Sequence, residues 1–335
     1  MKAAVYTTEK RLVVREVPDP IAGDDEIIMK VKYCAICGSD IHRYIYGMVK
    51  PGTILGHEFS GTVAAMGKKV SGFKIGDRIA RWGGKITRGR DQPNFPPRYS
   101  AKERGFLPMF AGAYAQYMAI HADKVVKLPD EVSDIDAALL EPLTVAVHAV
   151  RLSKIMLGDF VVVIAAGPIG LFTIQCAKLA GALKILVSEI NETRLQVASI
   201  LGADYGVNPL RGDVVQQVVD LTQIGADVVF ECAGAKNTLQ QSLEMAKMGG
   251  QVVVVALCWE QAECLPVEWV GREVEMKASY GHLNSEWAIS LDLMRLGKIS
   301  TQPLITGIIE LPEIDNAFRE LLEPHSRSVQ IVVKT

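Results

Sequence analysis

Three separated stretches of this chain carry side chains that hold metal ions. Cys37-Gly38-Ser39-Asp40-Ile41-His42 offers a thiol, a hydroxyl, a carboxylate and an imidazole in one short run. Gly56-His57-Glu58 adds an imidazole and a carboxylate, and Glu141-Pro142 lies far downstream. Thiolate, imidazole and carboxylate are all zinc ligands, and a catalytic zinc takes about three of them with one position left open. The stretches are too far apart for a zinc finger. A site gathered from distant segments suits catalysis, with the metal in a cleft between domains. Taken singly, each residue has a structural reading: Cys37 a buried thiol, His57 a core histidine, Glu58 a surface acid, Glu141 an acid favoured by a helix dipole. Their co-occurrence is what carries the metal reading.

A second constellation lies in residues 158–189. The β-branched run from Phe160 to Ile164 is apolar on both faces, as a strand buried in a parallel sheet requires. Ala165-Ala166-Gly167-Pro168-Ile169-Gly170 follows, then a helical pattern from Leu171, then a second apolar run, Ile185 to Val187, ending in Ser188-Glu189. Strand, glycine turn, helix, strand and acid make a dinucleotide-binding βαβ unit. Gly167 lets the backbone approach a pyrophosphate, Gly170 lets helix and strand pack closely, and the helix N-terminus presents unpaired N–H groups to the anion. Glu189 is placed to accept hydrogen bonds from an adenosine ribose. The fingerprint has one defect, Ala165 where the first glycine belongs.

The elements that must position these groups can be traced along the chain. Residues 1–140 read as mostly β: short apolar stretches between turn signals, spaced for a small, partly open barrel. The segment 134–156 reads as one long helix with an acid-rich start. Strands and helices then alternate across 143–280, arguing for one parallel sheet. Two helices and a final strand, SVQIVVKT, close the chain. That strand breaks the alternation and is expected to pair with the N-terminal domain. The domains are therefore expected at 1–142 with 281–335, and at 143–280. Residues 78–104 carry eight bases against two acids and three prolines, and read as an irregular loop at a substrate mouth or subunit contact, or simply a solvated one.

Bulk properties exclude several classes. The chain has 335 residues and a net charge of −2, which argues against nucleic acid or an anionic membrane surface. The first residues contain no signal-like apolar region. The apolar run from Phe160 to Ile174 is too short to span a bilayer. Six cysteines without a regular framework read as reduced thiols in a cytoplasmic protein.

Through CGSDIH, GHEFSGTV, LLEPLTVAVHAV, AGPIGL, RLQVASILGAD and PLITG, essentially the whole chain resembles the zinc-dependent medium-chain alcohol dehydrogenases. It is most similar to the branch acting on polyols, butanediol and threonine. The resemblance implies an α/β protein with a GroES-like β domain and a Rossmann doubly wound parallel-sheet domain. It implies that Cys37 and His57 bind one catalytic zinc per chain, with Glu58 and Glu141 as carboxylate candidates for the third position. Asp40 would hold the His57 imidazole and fix its tautomer. Ser39 would touch the substrate oxygen, and His42 would pass the proton on through the cofactor ribose. Gly167, Pro168, Ile169, Gly170, Glu189 and Arg194 would hold NAD. Relatives often carry a second, structural zinc on four cysteines; residues 81–110 contain no cysteine, so that metal is not expected.

The reading is an NAD- and zinc-dependent dehydrogenase for a secondary alcohol, polyol or hydroxyketone, cytoplasmic, a homodimer or homotetramer. Two alternatives stand beside it: a zinc-free, NADPH-using reductase of quinone-reductase type, and a non-catalytic nucleotide-binding protein. Tyr44, Tyr46, Trp82 and parts of 100–115 are expected to wall the substrate pocket.

Overall fold

The computed structural model describes residues 1–83, 112–323 and 326–335. Most of the basic stretch 78–104, most of the cysteine-free 81–110 and much of the pocket wall expected from 100–115 lie outside the described residues. The chain is an α/β protein of two units, Met1–Glu141 with Leu283–Thr335, and Pro142–His282.

The first unit is built on the strand Glu26–Ala35. Met29 and Val31 are buried while Lys30 and Lys32 face out, the period-two pattern of a strand with one solvated face. It pairs antiparallel with Glu58–Met66, with Tyr117–His121 and with the last strand, Gln330–Lys334. Arg78–Arg81 and Val125–Lys127 extend the sheet on one side. On the other, Ile305–Glu310 runs parallel to the last strand. The sequence reading had no strand there, because a 3-10 turn over Gln302–Leu304 and Gly307 leave only a short alternating run. The opening segment is a hairpin, Lys2–Tyr6 against Leu12–Glu16. Ile27, Met29, Phe59, Ile79, Tyr114, Phe318 and Val333 fill the core.

The helix expected over 134–156 is instead two, Asp134–Ala138 and Leu140–Leu152. Pro142 is the physical reason. It has no N–H to bond the carbonyl four residues back, at Ala138, and its ring crowds that carbonyl. The chain steps out of helical geometry at Leu139, with φ −90 and ψ 7.

The second unit has six parallel strands in the order 205–207, 184–188, 160–164, 226–231, 246–254, 275–278. Numbered along the unit this is 3-2-1-4-5-6, the order of a Rossmann sheet. Phe160–Ile164 lies at its centre, and Val161, Val162 and Val163 have no exposure at all. Tyr205–Val207 was not anticipated; three residues are too few to give a periodic signal.

Candidate metal and nucleotide sites

The strand register brings the metal candidates together. Ala35 pairs with Glu58, so the end of one strand lies against the start of the next. Two residues past Ala35, Cys37 stands in extended geometry at the entrance of the helix Gly38–Tyr46, its side chain making no cap hydrogen bond. On the other strand Gly56 turns the chain at φ +96; a Cβ there would meet Cys34 Sγ and the Tyr114 nitrogen at 2.9 Å. Only glycine fits, and the turn delivers His57 and Glu58 to the same corner. One ligand atom each from Cys37, His57 and Glu58 lies within 4.8 Å of the others.

This cluster fits a zinc ion on its own chemistry. The donor set is sulfur, nitrogen and oxygen. Glu58 is 2% exposed, and its Oε2 has no hydrogen-bond partner. A buried, unpaired carboxylate is costly, and such groups are ordinarily paired or bound to metal. Burial, and then the negative charge of Glu141, push the Glu58 carboxyl up to about 8. Burial raises the Cys37 thiol as well, with the Glu58 charge adding to it. A divalent cation offsets both penalties.

The neighbours orient the cluster. Asp40, fully buried, has Oδ1 at 3.2 Å from His57 Nδ1 and accepts a 3.0 Å hydrogen bond from the Tyr114 hydroxyl at Oδ2. Burial alone would raise the Asp40 carboxyl; His57 and Arg43 bring it below its ordinary value. Burial alone would lower His57; the charges of Asp40 and Cys37 carry it well above. The Ser39 hydroxyl donates to Cys37 Sγ at 3.3 Å and accepts from Arg43 Nη1 at 3.0 Å. His42 is half-buried, with burial lowering its pKa, and stacks on Tyr46 at 6.1 Å. Arg81 Nη1 donates to the His57 carbonyl at 2.6 Å and lies 3.7 Å from Glu141 Oε1. Glu141 is not in the three-atom cluster.

Three of these residues escaped sequence reasoning. Arg43 had a usable signal, four residues beyond Ser39 on one helix. Arg81 and Tyr114 had none, since only strand pairing and chain return bring them here. Tyr44, expected at the pocket wall, is a core residue. It is 5% exposed, packs on Phe318 at 5.3 Å and donates its hydroxyl to Asp315. Tyr46, on the opposite side of that helix, is exposed, and Trp82 packs on Trp287.

In the second unit, Gly167 caps the helix Pro168–Ala180, which begins with proline and has no side-chain cap. Its first N–H groups therefore await an acceptor. A Cβ on Gly167 would meet nothing within 4 Å, so the backbone faces open space, as close approach to a pyrophosphate requires. A Cβ on Gly170 would lie 2.0 Å from the Ala165 carbonyl oxygen. Ala165 takes φ +72, a left-handed geometry that glycine adopts freely and alanine does not. Ile169 sits in the first turn of this helix. Glu189 is 4% exposed, and its carboxylate accepts from Ala166 N at 2.7 Å and Asn191 N at 2.9 Å. The sequence leads one to expect it to reach for ribose; in the structure it fastens the glycine turn to the end of the second strand. Arg194 donates its backbone N–H to the Asn191 side chain, which caps the helix Glu192–Ile200.

Two family models match: an alcohol dehydrogenase GroES-like domain over residues 23–130 and a zinc-binding dehydrogenase over residues 168–295. An (R,R)-butanediol dehydrogenase of Bacillus subtilis is 34% identical, over 100% of this chain and 99% of that protein. A sorbitol dehydrogenase of the same organism is 31% identical, over 99% and 97% respectively. A Sinorhizobium meliloti protein, solved bound to NADP and described as a "putative zinc-binding dehydrogenase", superposes with a TM-score of 0.87 at 31% identity. It covers 100% of this chain and 99% of its own.

Proposed function

This chain belongs to the zinc-binding, medium-chain alcohol dehydrogenases with a GroES-like domain, and from that premise we propose that it interconverts a secondary alcohol, polyol or hydroxyketone with its oxidation partner using NAD. The observation that carries the reading is the Cys37–His57–Glu58 cluster, in which a buried carboxyl oxygen of Glu58 without a hydrogen-bond partner asks for a cation.

Cys37, His57 and Glu58 would hold the zinc, with Glu141 nearby. When bound, zinc supplies charge stabilisation on the substrate oxygen and NAD supplies the hydride acceptor. The chain's own residues do the rest. Asp40, itself held by Tyr114, stands 3.2 Å from His57 Nδ1, where it would keep the ring proton and leave the other nitrogen for metal. Ser39 is the proton carrier nearest the cluster, and His42, three residues on along the same helix, is the outward step of the relay. The N-terminus of Pro168–Ala180, with Gly167, Ile169 and Gly170, would bind the pyrophosphate. Glu189 and Arg194 would flank the adenosine.

A homodimer or homotetramer and a cytoplasmic setting belong to the same proposal. All six cysteines are free thiols, which suits a reducing compartment. No helix among the described residues is long and apolar enough to cross a membrane. The test is metal analysis combined with NAD-dependent turnover on a panel of diols, polyols, amino alcohols and cyclic alcohols. One zinc per chain and turnover of a vicinal diol or polyol are expected. An active, zinc-free preparation would overturn the reading in favour of the NADPH reductase type.

A further inference from the structure

Two carboxylates approach the metal cluster, and only one joins it. We propose that Arg81 is the positioning residue that makes this choice, drawing Glu141 away from the metal so that Glu58 supplies the carboxylate ligand. The inference rests on the zinc reading above and adds a residue to it.

The placement of Arg81 follows from the sheet. Ser60 pairs with Ala80 in an antiparallel ladder, so continuing the register sets Arg81 opposite Phe59, beside His57 and Glu58. Its side chain is 15% exposed, and three contacts hold it. Nη1 donates to the His57 carbonyl at 2.6 Å, the same nitrogen lies 3.7 Å from Glu141 Oε1, and the guanidinium lies 5.8 Å from the Trp287 ring centroid, over its face. Trp287 is itself fully buried, so the guanidinium rests on a fixed platform. The Glu141 side chain is 12% exposed, close enough to Glu58 to perturb it, yet outside the cluster of mutually close ligand atoms.

A positive charge at this point has two consequences. It gives Glu141 a partner other than the metal, since a charge-assisted contact in a poorly solvated site is stronger than one in water. It also anchors the backbone of the ligand histidine, tying Glu141 and His57 to a single rigid group. A catalytic zinc needs a position free for substrate. Were Glu141 released onto the metal beside Cys37, His57 and Glu58, four protein ligands would close the site.

The test uses the full-length protein, first as zinc protein and then with cobalt(II) in place of zinc. Zinc affinity is read by competition with a chelator. Glu58→Gln is expected to weaken zinc at least about tenfold, within the range for lost metal-site interactions, and Glu141→Gln by less than about threefold. Equal losses in the two variants would overturn the proposal, because Glu141 would then be a ligand in the wild type. Imidazole, added to the cobalt protein, probes the open position. It is expected to shift the visible spectrum of the wild type and not that of Arg81→Met, and Arg81→Met with Glu141→Gln should regain the shift. An Arg81→Met protein that takes imidazole like the wild type would also overturn it. If Arg81→Met does not fold, Arg81→Gln, which removes the charge and keeps a donor for the His57 carbonyl, takes its place with the same expected and overturning results. A wild type that binds no zinc at all would instead remove the proposed function itself.

Discussion

Glu189→Ala tests whether the nucleotide-binding turn is held as the structure indicates. The carboxylate accepts from Ala166 N–H at 2.7 Å and Asn191 N–H at 2.9 Å. The two losses differ in size. Ala166 has no exposure, so its N–H would be stranded away from water. An unsatisfied buried donor costs about 1–3 kcal/mol, and the hydrogen bond it replaces is to a charged acceptor, at the upper end of that range. Asn191 is partly exposed, and water can replace its partner. Most of the effect therefore falls on Ala166. A local loss of about 2–3 kcal/mol corresponds to roughly 30- to 150-fold. Amide hydrogen exchange of the cofactor-free protein reads this directly: the Ala166 amide should exchange faster by that factor, with the distant strand Glu26–Ala35 unchanged. Affinity for NAD should fall too, because the same turn opens the helix at Gly167. Unaltered exchange at Ala166 would refute the reasoning, since the carboxylate would then not be tied to the turn.

Wild-type kcat/KM should favour NAD over NADP by at least about tenfold, about 1.4 kcal/mol, because the Glu189 charge opposes a 2′-phosphate; equal use of both would place the acid elsewhere. Cys37→Ser should lose zinc and turnover while still binding NAD, checked by metal analysis and cofactor fluorescence. Gly170→Ala drives a Cβ to 2.0 Å from the Ala165 carbonyl oxygen and should cost about 1–3 kcal/mol of stability, read by urea denaturation. In metal-free protein, Glu58 and His57 both hold protons more tightly folded than unfolded. The Glu58 contribution is therefore complete below its ordinary pKa of 4.5 and is lost as pH rises toward and through 8, so the metal-free melting temperature should fall between pH 5 and 8.5. Zinc should remove most of that slope by displacing the protons.

What the sequence revealed and what it withheld follow from how each residue acquires its surroundings. Apart from Tyr205–Val207, the Rossmann sheet was legible because its strands are short, β-branched and separated by helices. The glycine turn was legible for a similar reason: Gly167 and Gly170 do local work at fixed offsets. Cys37, His57 and Glu58 could be named as ligand candidates from residue type, but their approach to within 4.8 Å depends on the pairing of Ala35 with Glu58, which no local pattern encodes. The same holds more strongly for Tyr114 and Arg81, whose partners lie 74 and 24 residues away in sequence. Tyr44 and Tyr46 show the opposite failure. Two residues apart on a helix they point about 200° apart, so one had to be buried and the other exposed. Type alone could not say which; the presence of Phe318 and Asp315, more than 250 residues on, decided it.

Glu189 and Pro142 each do more than their local pattern implies. The acid was assigned one acceptor role, yet a carboxylate has lone pairs to spare, and the chain spends two of its positions on backbone N–H groups before any ribose arrives. That changes what the residue is. A group that only touched the cofactor would alter affinity when removed and leave the unliganded turn intact; a group that also fastens Ala166 must alter both. Pro142, for its part, sits where apolar periodicity continues unbroken on both sides, and only its missing N–H reveals that the helix is two. The break places Glu141 in the first turn of the second helix, where the dipole favours a negative charge. That gives Glu141 a favourable place without a metal, and it is the same side chain that Arg81 draws aside. Helix start and arginine act in one direction, which is why two acids near one metal need not both bind it.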